Sequence, residues 1–319
     1  MYIRTGEGAM LGALHYRLGD VSASSREADR RFTRVAAAIT EGLKAAKAAI
    51  PQLLTHTQQE LVRFMASQLE GFFPRGHGLV DTTGKVLRQS QIATIQVPVA
   101  GKDNAGWPPF EYRVRVYLSD QPADPKLRGR HMTGHFSSIR LFTRTLAGTI
   151  PSRSVLTPLH EMTHMMFAMV RSLARLRGAD KAAQLLSREP WRLLDLRGFA
   201  GHQSHLERHL RDLLRVLPIP MQAAELAASL VEEAFASVCA VTIDEAIARS
   251  SHAKTGKRGP AILSSGGFSP EEFITSYVLE RGFNVTKKQL SSQEARKIFA
   301  RMTSDVDALA AALRTHLGG

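Results

Sequence analysis

Pro158-Leu159-His160-Glu161-Met162-Thr163-His164-Met165-Met166-Phe167-Ala168-Met169-Val170 is the stretch on which the reading of this chain turns. It reads as a helix. Residues four apart stand on one helical face, with Cβ atoms about 5–6 Å apart. The imidazoles of His160 and His164 can therefore reach a single metal ion without bending the backbone. Glu161 projects beside them. The stretch also marks a change of character, because strand-like segments precede it and only helical patterns follow from Thr157 onward.

Working upstream, residues 24–48 are rich in Ala, Arg and Glu with an apolar repeat of about 3.6 residues, which predicts a helix that Pro51 stops. Residues 56–73 predict a second helix. Gly76-His77-Gly78 and Asp81-Thr82-Thr83-Gly84 are turn signals. Gln91–Val99, Glu111–Leu118 and Ser137–Thr143 alternate apolar and polar residues, as half-buried strands do. Downstream, Ala179–Ser187, Ser204–Val216, Met221–Arg249, Pro270–Arg281 and Gln293–His316 fit helices. Ser269-Pro270-Glu271-Glu272 and Ser291-Ser292-Gln293-Glu294 have the form of capping boxes, and Ser250–Phe268 reads as a long mobile loop. Strands first and helices afterwards predict an α+β fold. In it, a small antiparallel or mixed sheet lies next to the metal helix, and a mostly helical C-terminal part follows. The expected organisation is an N-terminal helical segment over 1–80, the sheet with the metal helix over 81–178, and a helical subdomain over 179–319 that supplies a further ligand.

A chain of 319 residues that is 44 % hydrophobic can bury a substantial core, in one large domain or two modest ones. It has no run of about 18 uncharged apolar residues, so no membrane span is expected. Met1–Gly8 lacks a basic segment followed by an apolar core, which argues against a signal peptide. Cys239 is the only cysteine, excluding an internal disulfide framework and any multi-cysteine zinc site. The expected location is cytoplasmic, or exported by a route independent of a signal peptide. The net charge of +13 has local clusters at Lys126-Leu127-Arg128-Gly129-Arg130, at Arg171, Arg175 and Arg177, and at Lys254–Arg258. It fits an acidic partner, whether nucleic acid, anionic membrane or acidic protein, or else a solvated basic surface. No cluster is interleaved with aromatic residues, which favours the solvated surface.

His-Glu-x-x-His is the pattern of zinc hydrolases. Two histidines hold the ion, and Glu161 is placed to take a proton from a zinc-bound water. A catalytic zinc takes three protein ligands, so a third is required. Phe167 and Val170 occupy the places where a three-histidine site would need Gly and His. Cys239 lies downstream, where the deformylase arrangement needs a cysteine upstream. A carboxylate from a later helix is the remaining option. Glu232 and Glu233 interrupt the otherwise apolar run Ser229-Leu230-Val231-Glu232-Glu233-Ala234-Phe235-Ala236-Ser237, where a buried carboxylate requires a partner. Asp195 in Leu193–Arg197 is a rival.

Here the sequence resembles the gluzincin metallopeptidases. Their first helix carries His-Glu-x-x-His, often with Thr before the second histidine as at Thr163, and their second carries a ligand Glu in a Glu-(Ala/Gly)-Phe-Ala context. The match to Glu233-Ala234-Phe235-Ala236 implies that Glu233 is the third ligand. The resemblance spans His160 to Ser237. One departure is Ser237, where thermolysin-like members place an Asp that orients a histidine, so that contact must come from elsewhere. Helical spacing agrees with the choice of Glu233, which shares a face with Leu226, Leu230, Ser237 and Ala240. Glu232 instead aligns with Glu225, Ser229 and Ala236, a polar stripe suited to solvent or to contact behind a ligand. The resemblance also implies an oxyanion donor, for which Tyr277 is the candidate. His202, His205 and His209 read mainly as a solvated helix face.

The expected protein is thus a zinc-dependent metallopeptidase acting on a peptide or protein substrate. His160, His164 and Glu233 hold Zn2+, and Glu161 is the general base with Tyr277 as its catalytic companion. Ser137–Thr143 resembles the edge strand on which such enzymes pair a substrate's main chain. The rivals are a basic nucleic-acid- or acidic-partner-binding protein with a structural zinc, and a translocated effector or toxin protease.

Overall fold

A long helix rich in apolar residues has to bury most of its surface, and residues 223–250 form such a helix within the described core. The computed structural model describes residues 34, 37–48, 59, 63 and 65, strands within 79–142, and residues 156–186, 191–217, 221–255, 269–281 and 292–318. The described helices are α1 (37–48), α2 (Leu156–Arg177), α3 (Ala179–Leu186), α4 (Ala200–Val216), α5 (Ala223–Thr255), α6 (Pro270–Arg281) and α7 (Gln293–Gly318). Two 3-10 turns, Trp191–Leu194 and Leu196–Phe199, join α3 to α4.

α5 packs against α2, α4 and α7, and α7 also contacts α4 and α6. Leu226, Leu230, Ala234, Phe235 and Ala236 of α5 are buried, as are Met162, Met165, Met166 and Met169 of α2. Phe167 and Phe235 tie these two helices together edge to face, with ring centroids 5.4 Å apart. A continuous apolar cluster runs from Ile39 of α1 to Leu317 of α7.

Local chemistry sets the helix ends. Gly178 has φ of 87°, a left-handed conformation that favours glycine, and its N–H bonds Ala174 O at 3.0 Å, ending α2 before α3 begins. The Ser269 hydroxyl accepts from Glu272 N at 3.3 Å, with Pro270 in the first helical position. At the start of α7 the cap is Ser292, accepting from Ala295 N at 3.2 Å, one residue later than the Ser291 box implies. α5 continues to Thr255, so the first residues of the expected loop are helical. The rest of that loop, the turn signals before residue 86 other than the strand residues, and most of the expected helices over 24–36 and 56–73 lie outside the described residues.

The expectation of an α+β fold is corrected. Among residues whose side chains are described, 95 % are helical and none lies in a strand, and every residue of the core cluster except Leu217, the extended cap of α4, comes from a helix or a helical turn. Alternation upstream points to a sheet layer, but the described core is built by helices, chiefly those after residue 155 together with α1. The backbone strands are β1 (Leu79–Val80), β2 (Val86–Leu87), β3 (Ser90–Val97), β4 (Phe110–Ser119), β5 (Gly129–Met132) and β6 (Ser137–Phe142). β1 pairs with β2, and the others are ordered β3-β4-β6-β5. β6 is therefore no edge strand. It is paired to β4 on one side and β5 on the other, so its main chain has no free side on which to take an added strand.

The segment Ala223–Ser250 is long and apolar enough to cross a membrane by length and composition, which the absence of an uncharged run did not anticipate. In this fold 61 % of its most apolar window is buried against protein.

Phe235→Ala removes the side chain that joins α5 to α2. It should cost about 3–5 kcal/mol of unfolding free energy, read from the shift in urea midpoint.

Candidate metal centre

α2 presents His160 and His164 one turn apart, and α5 lies across them with Glu232 and Glu233. Their ring centroids are 4.9 Å apart and the planes are 76° to one another, so the two Nε2 atoms turn towards a common point. They are 3.2 Å apart. Glu233 closes the group, with Oε1 3.0 Å from His160 Nε2 and Oε2 2.8 Å from His164 Nε2. A tetrahedral ion with bonds of about 2.0–2.1 Å sets neighbouring ligand atoms about 3.3 Å apart. The observed separations lie close to that spacing, so the three side chains fit one small divalent ion.

Glu232 takes the other edge of the same imidazole. Its Oε1 is 2.9 Å from His164 Nδ1, while Arg171 of α2 pairs with its Oε2. Adjacent residues on α5 point about 100° apart, yet both glutamates reach the site because His164 lies between them and offers a nitrogen to each. The contact missing at Ser237 is thus made by Glu232. By sequence Arg171 reads as one of the basic surface set with Arg175 and Arg177. The signal that marks it is spacing, seven residues after His164 and therefore on the same face of α2.

The site is strongly anionic. His164 is 8 % exposed, and burial alone would lower its pKa. The hydrogen bonds to Glu232 and Glu233, with the charges of Glu233 and Glu161, instead push it from 6.5 up to about 10. Burial alone would raise Glu233, but the charge of His160 and the bonds from both histidines hold it well below the usual carboxylate range. Glu232 is lowered against burial by His164 and Arg171. A buried pocket that stabilises positive charge to this degree is suited to a cation.

Glu161 is 6 % exposed, close enough to His164 for its charge to act on the ring. Thr163 is fully buried, its hydroxyl donating to Leu159 O at 2.9 Å. Cys239 is buried nearby on α5, its thiol pushed up to about 12 by burial. Tyr277 is 4 % exposed and stacks on Phe273 of α6. Asp195 is engaged elsewhere. It caps the second 3-10 turn and binds Arg197 Nε at 2.7 Å, which removes its claim to the metal. His209 Nε2 lies 3.0 Å from Asp305 of α7 and His205 stands 4.0 Å from the same carboxylate, a contact between α4 and α7. No protein-family model, curated protein or solved structure matches this chain, so the likeness to gluzincins rests on the motif residues alone.

Purified protein should bind about one zinc per chain, and His160→Ala, His164→Ala or Glu233→Ala should each abolish stoichiometric binding. Metal analysis showing full occupancy in any of the three would remove that residue from the ligand set.

Metal uptake must displace the proton on His164, so affinity should rise with pH, about tenfold per unit for one released proton. Without metal, the raised His164 pKa stabilises the fold fully below pH 6.5, and this contribution is lost as pH climbs towards about 10. Metal titrations from about pH 6 to about pH 8 check the first statement, and thermal melts of chelator-treated protein check the second. An affinity that does not change with pH would contradict the protonated His164.

Proposed function

We propose that this protein is a zinc-dependent metallopeptidase. The observation that carries the reading is the convergence of His160 Nε2, His164 Nε2 and the Glu233 carboxylate, from residues 73 apart in sequence, on one point beside Glu161. Imidazole and carboxylate donors suit zinc. Two imidazoles and one carboxylate are the ligand set of a catalytic zinc that keeps a position for water, which supports this reading over the structural-zinc alternative.

When bound, zinc supplies a Lewis acid that polarises the scissile carbonyl and lowers the pKa of its water to about 7. The chain's own residues do the rest. Glu161 sits next to the ligand pair and is not one of the three converging side chains, and in this reading its carboxylate takes the proton of the attacking water. It then returns that proton to the nitrogen of the departing amine. Burial of Glu161 and His164 excludes bulk water from this transfer. Glu232 and Arg171 hold His164 from behind. A peptide or protein is the substrate class that this chemistry serves. The +13 charge is compatible with an acidic one.

Glu161→Gln is nearly isosteric and should keep zinc and fold while lowering peptide hydrolysis about 10²–10⁴-fold. The assay is cleavage of a quenched fluorescent peptide library with and without chelator. Wild-type turnover in Glu161→Gln, or turnover in wild type that chelator leaves untouched, would reject the mechanism.

A further inference from the structure

We propose that Arg171 and Glu232 act as a positioning pair that decides which nitrogen of His164, and which of two adjacent glutamates, is offered to the metal. This rests on the metal reading above and goes beyond it by assigning roles to two residues outside the ligand set.

The two edges of the His164 ring are each met by a carboxylate, Nε2 by Glu233 at 2.8 Å and Nδ1 by Glu232 at 2.9 Å. Left to themselves, these contacts are nearly equivalent, and the ring could present either nitrogen. Arg171 breaks the equivalence. Its guanidinium holds Glu232 Oε2 and lies 3.5 Å from Oε1, so Glu232 is bound from both sides, by an arginine and an imidazole. A carboxylate so engaged cannot swing round to ligate. It accepts the Nδ1–H of His164, so that it is Nε2, facing His160 Nε2 and Glu233, that gives up its proton and turns a lone pair to the metal. Glu233 shows no such arginine contact; its described partners are the two histidines. The arginine thus separates two neighbouring glutamates of the same charge into one that orients and one that ligates. Both members of the pair lie on the helices that bear the ligands, so the crossing of α2 and α5 builds it without any loop. Such contacts behind a ligand typically alter metal affinity about 10–100-fold.

The test is a zinc competition titration against a chromophoric chelator for wild type, Glu232→Gln, Glu232→Ala, Arg171→Met and Arg171→Met/Glu232→Ala, with circular dichroism to monitor fold. Glu232→Ala should bind one zinc about 10–100-fold more weakly. Glu232→Gln should fall between it and wild type, because the amide oxygen still accepts from Nδ1–H. Arg171→Met should lose less than Glu232→Ala, and the double variant should be no weaker than Glu232→Ala alone, since arginine acts only through Glu232. In zinc-loaded wild type, nitrogen NMR should show the Nδ1–H form of His164, and Glu232→Ala should lose that uniform signature. Should Glu232→Ala fail to fold, the order of Glu232→Gln and Arg171→Met against wild type still decides. Wild-type affinity in both Glu232 variants, or full additivity of Arg171→Met with Glu232→Ala, overturns the pair while leaving the metal site standing. A wild type that binds no zinc overturns the site and the pair together.

Discussion

The structure depends on a single contact, the crossing of α2 and α5 at His164. Two apolar helices meet there, and each brings charged groups into an interface otherwise filled by methionine, phenylalanine and alanine. Burying a carboxylate or an imidazolium without partners costs several kcal/mol. At this crossing the charges are paired across the two helices. His164 is held by Glu232 and Glu233, His160 by Glu233, and Glu232 by Arg171. These pairings offset the cost of burial, and the excess of carboxylates gives the point where the two Nε2 atoms and Glu233 converge a preference for a cation.

Rigidity of that point comes from the packing on either side. Phe167 follows His164 by one turn, and Phe235 follows Glu233 by two residues, so the aromatic contact between them lies beside the polar one. Thr163 adds a buried hydroxyl that donates to Leu159 O within its own helix and reaches Met65 Sδ at 3.6 Å. Polar and apolar contacts therefore fix the same helix crossing. A change in either is felt at the metal-binding atoms, which need to be placed within about half an ångström.

The helical core also changes how the apolar segment around Glu233 is understood. By composition it is a long apolar helix fit for a bilayer, but it is surrounded by α2, α4 and α7. Its carboxylates point at the histidines of a neighbouring helix. Between hydrocarbon and protein, only the second supplies partners for two adjacent glutamates.

Several features were legible in the residues themselves. The spacing of His160 and His164 placed both on one face, because helical geometry is local. The break in apolar character at Glu232–Glu233 marked a buried carboxylate, and the face shared with Leu226 and Leu230 pointed to Glu233, which the structure brings within 3.0 Å of both Nε2 atoms. Helices from Pro270 and from Gln293 announced themselves through serine, proline and glutamate at their starts, although the cap of the second moved by one residue to Ser292. What was not legible required distance in space. The α+β expectation failed because strand-like alternation is a local signal and says nothing about which elements enclose the core, here the helices. β6 reads like an edge strand until pairing shows neighbours on both sides. Arg171 looked like one more surface cation, and Asp195 like a free carboxylate, until the fold brought Glu232 to the first and Arg197 to the second. Residue type and spacing determined which groups could serve as ligands. Tertiary structure alone decided which carboxylate meets which nitrogen, because that choice depends on the crossing of two helices whose contacting residues lie about seventy positions apart.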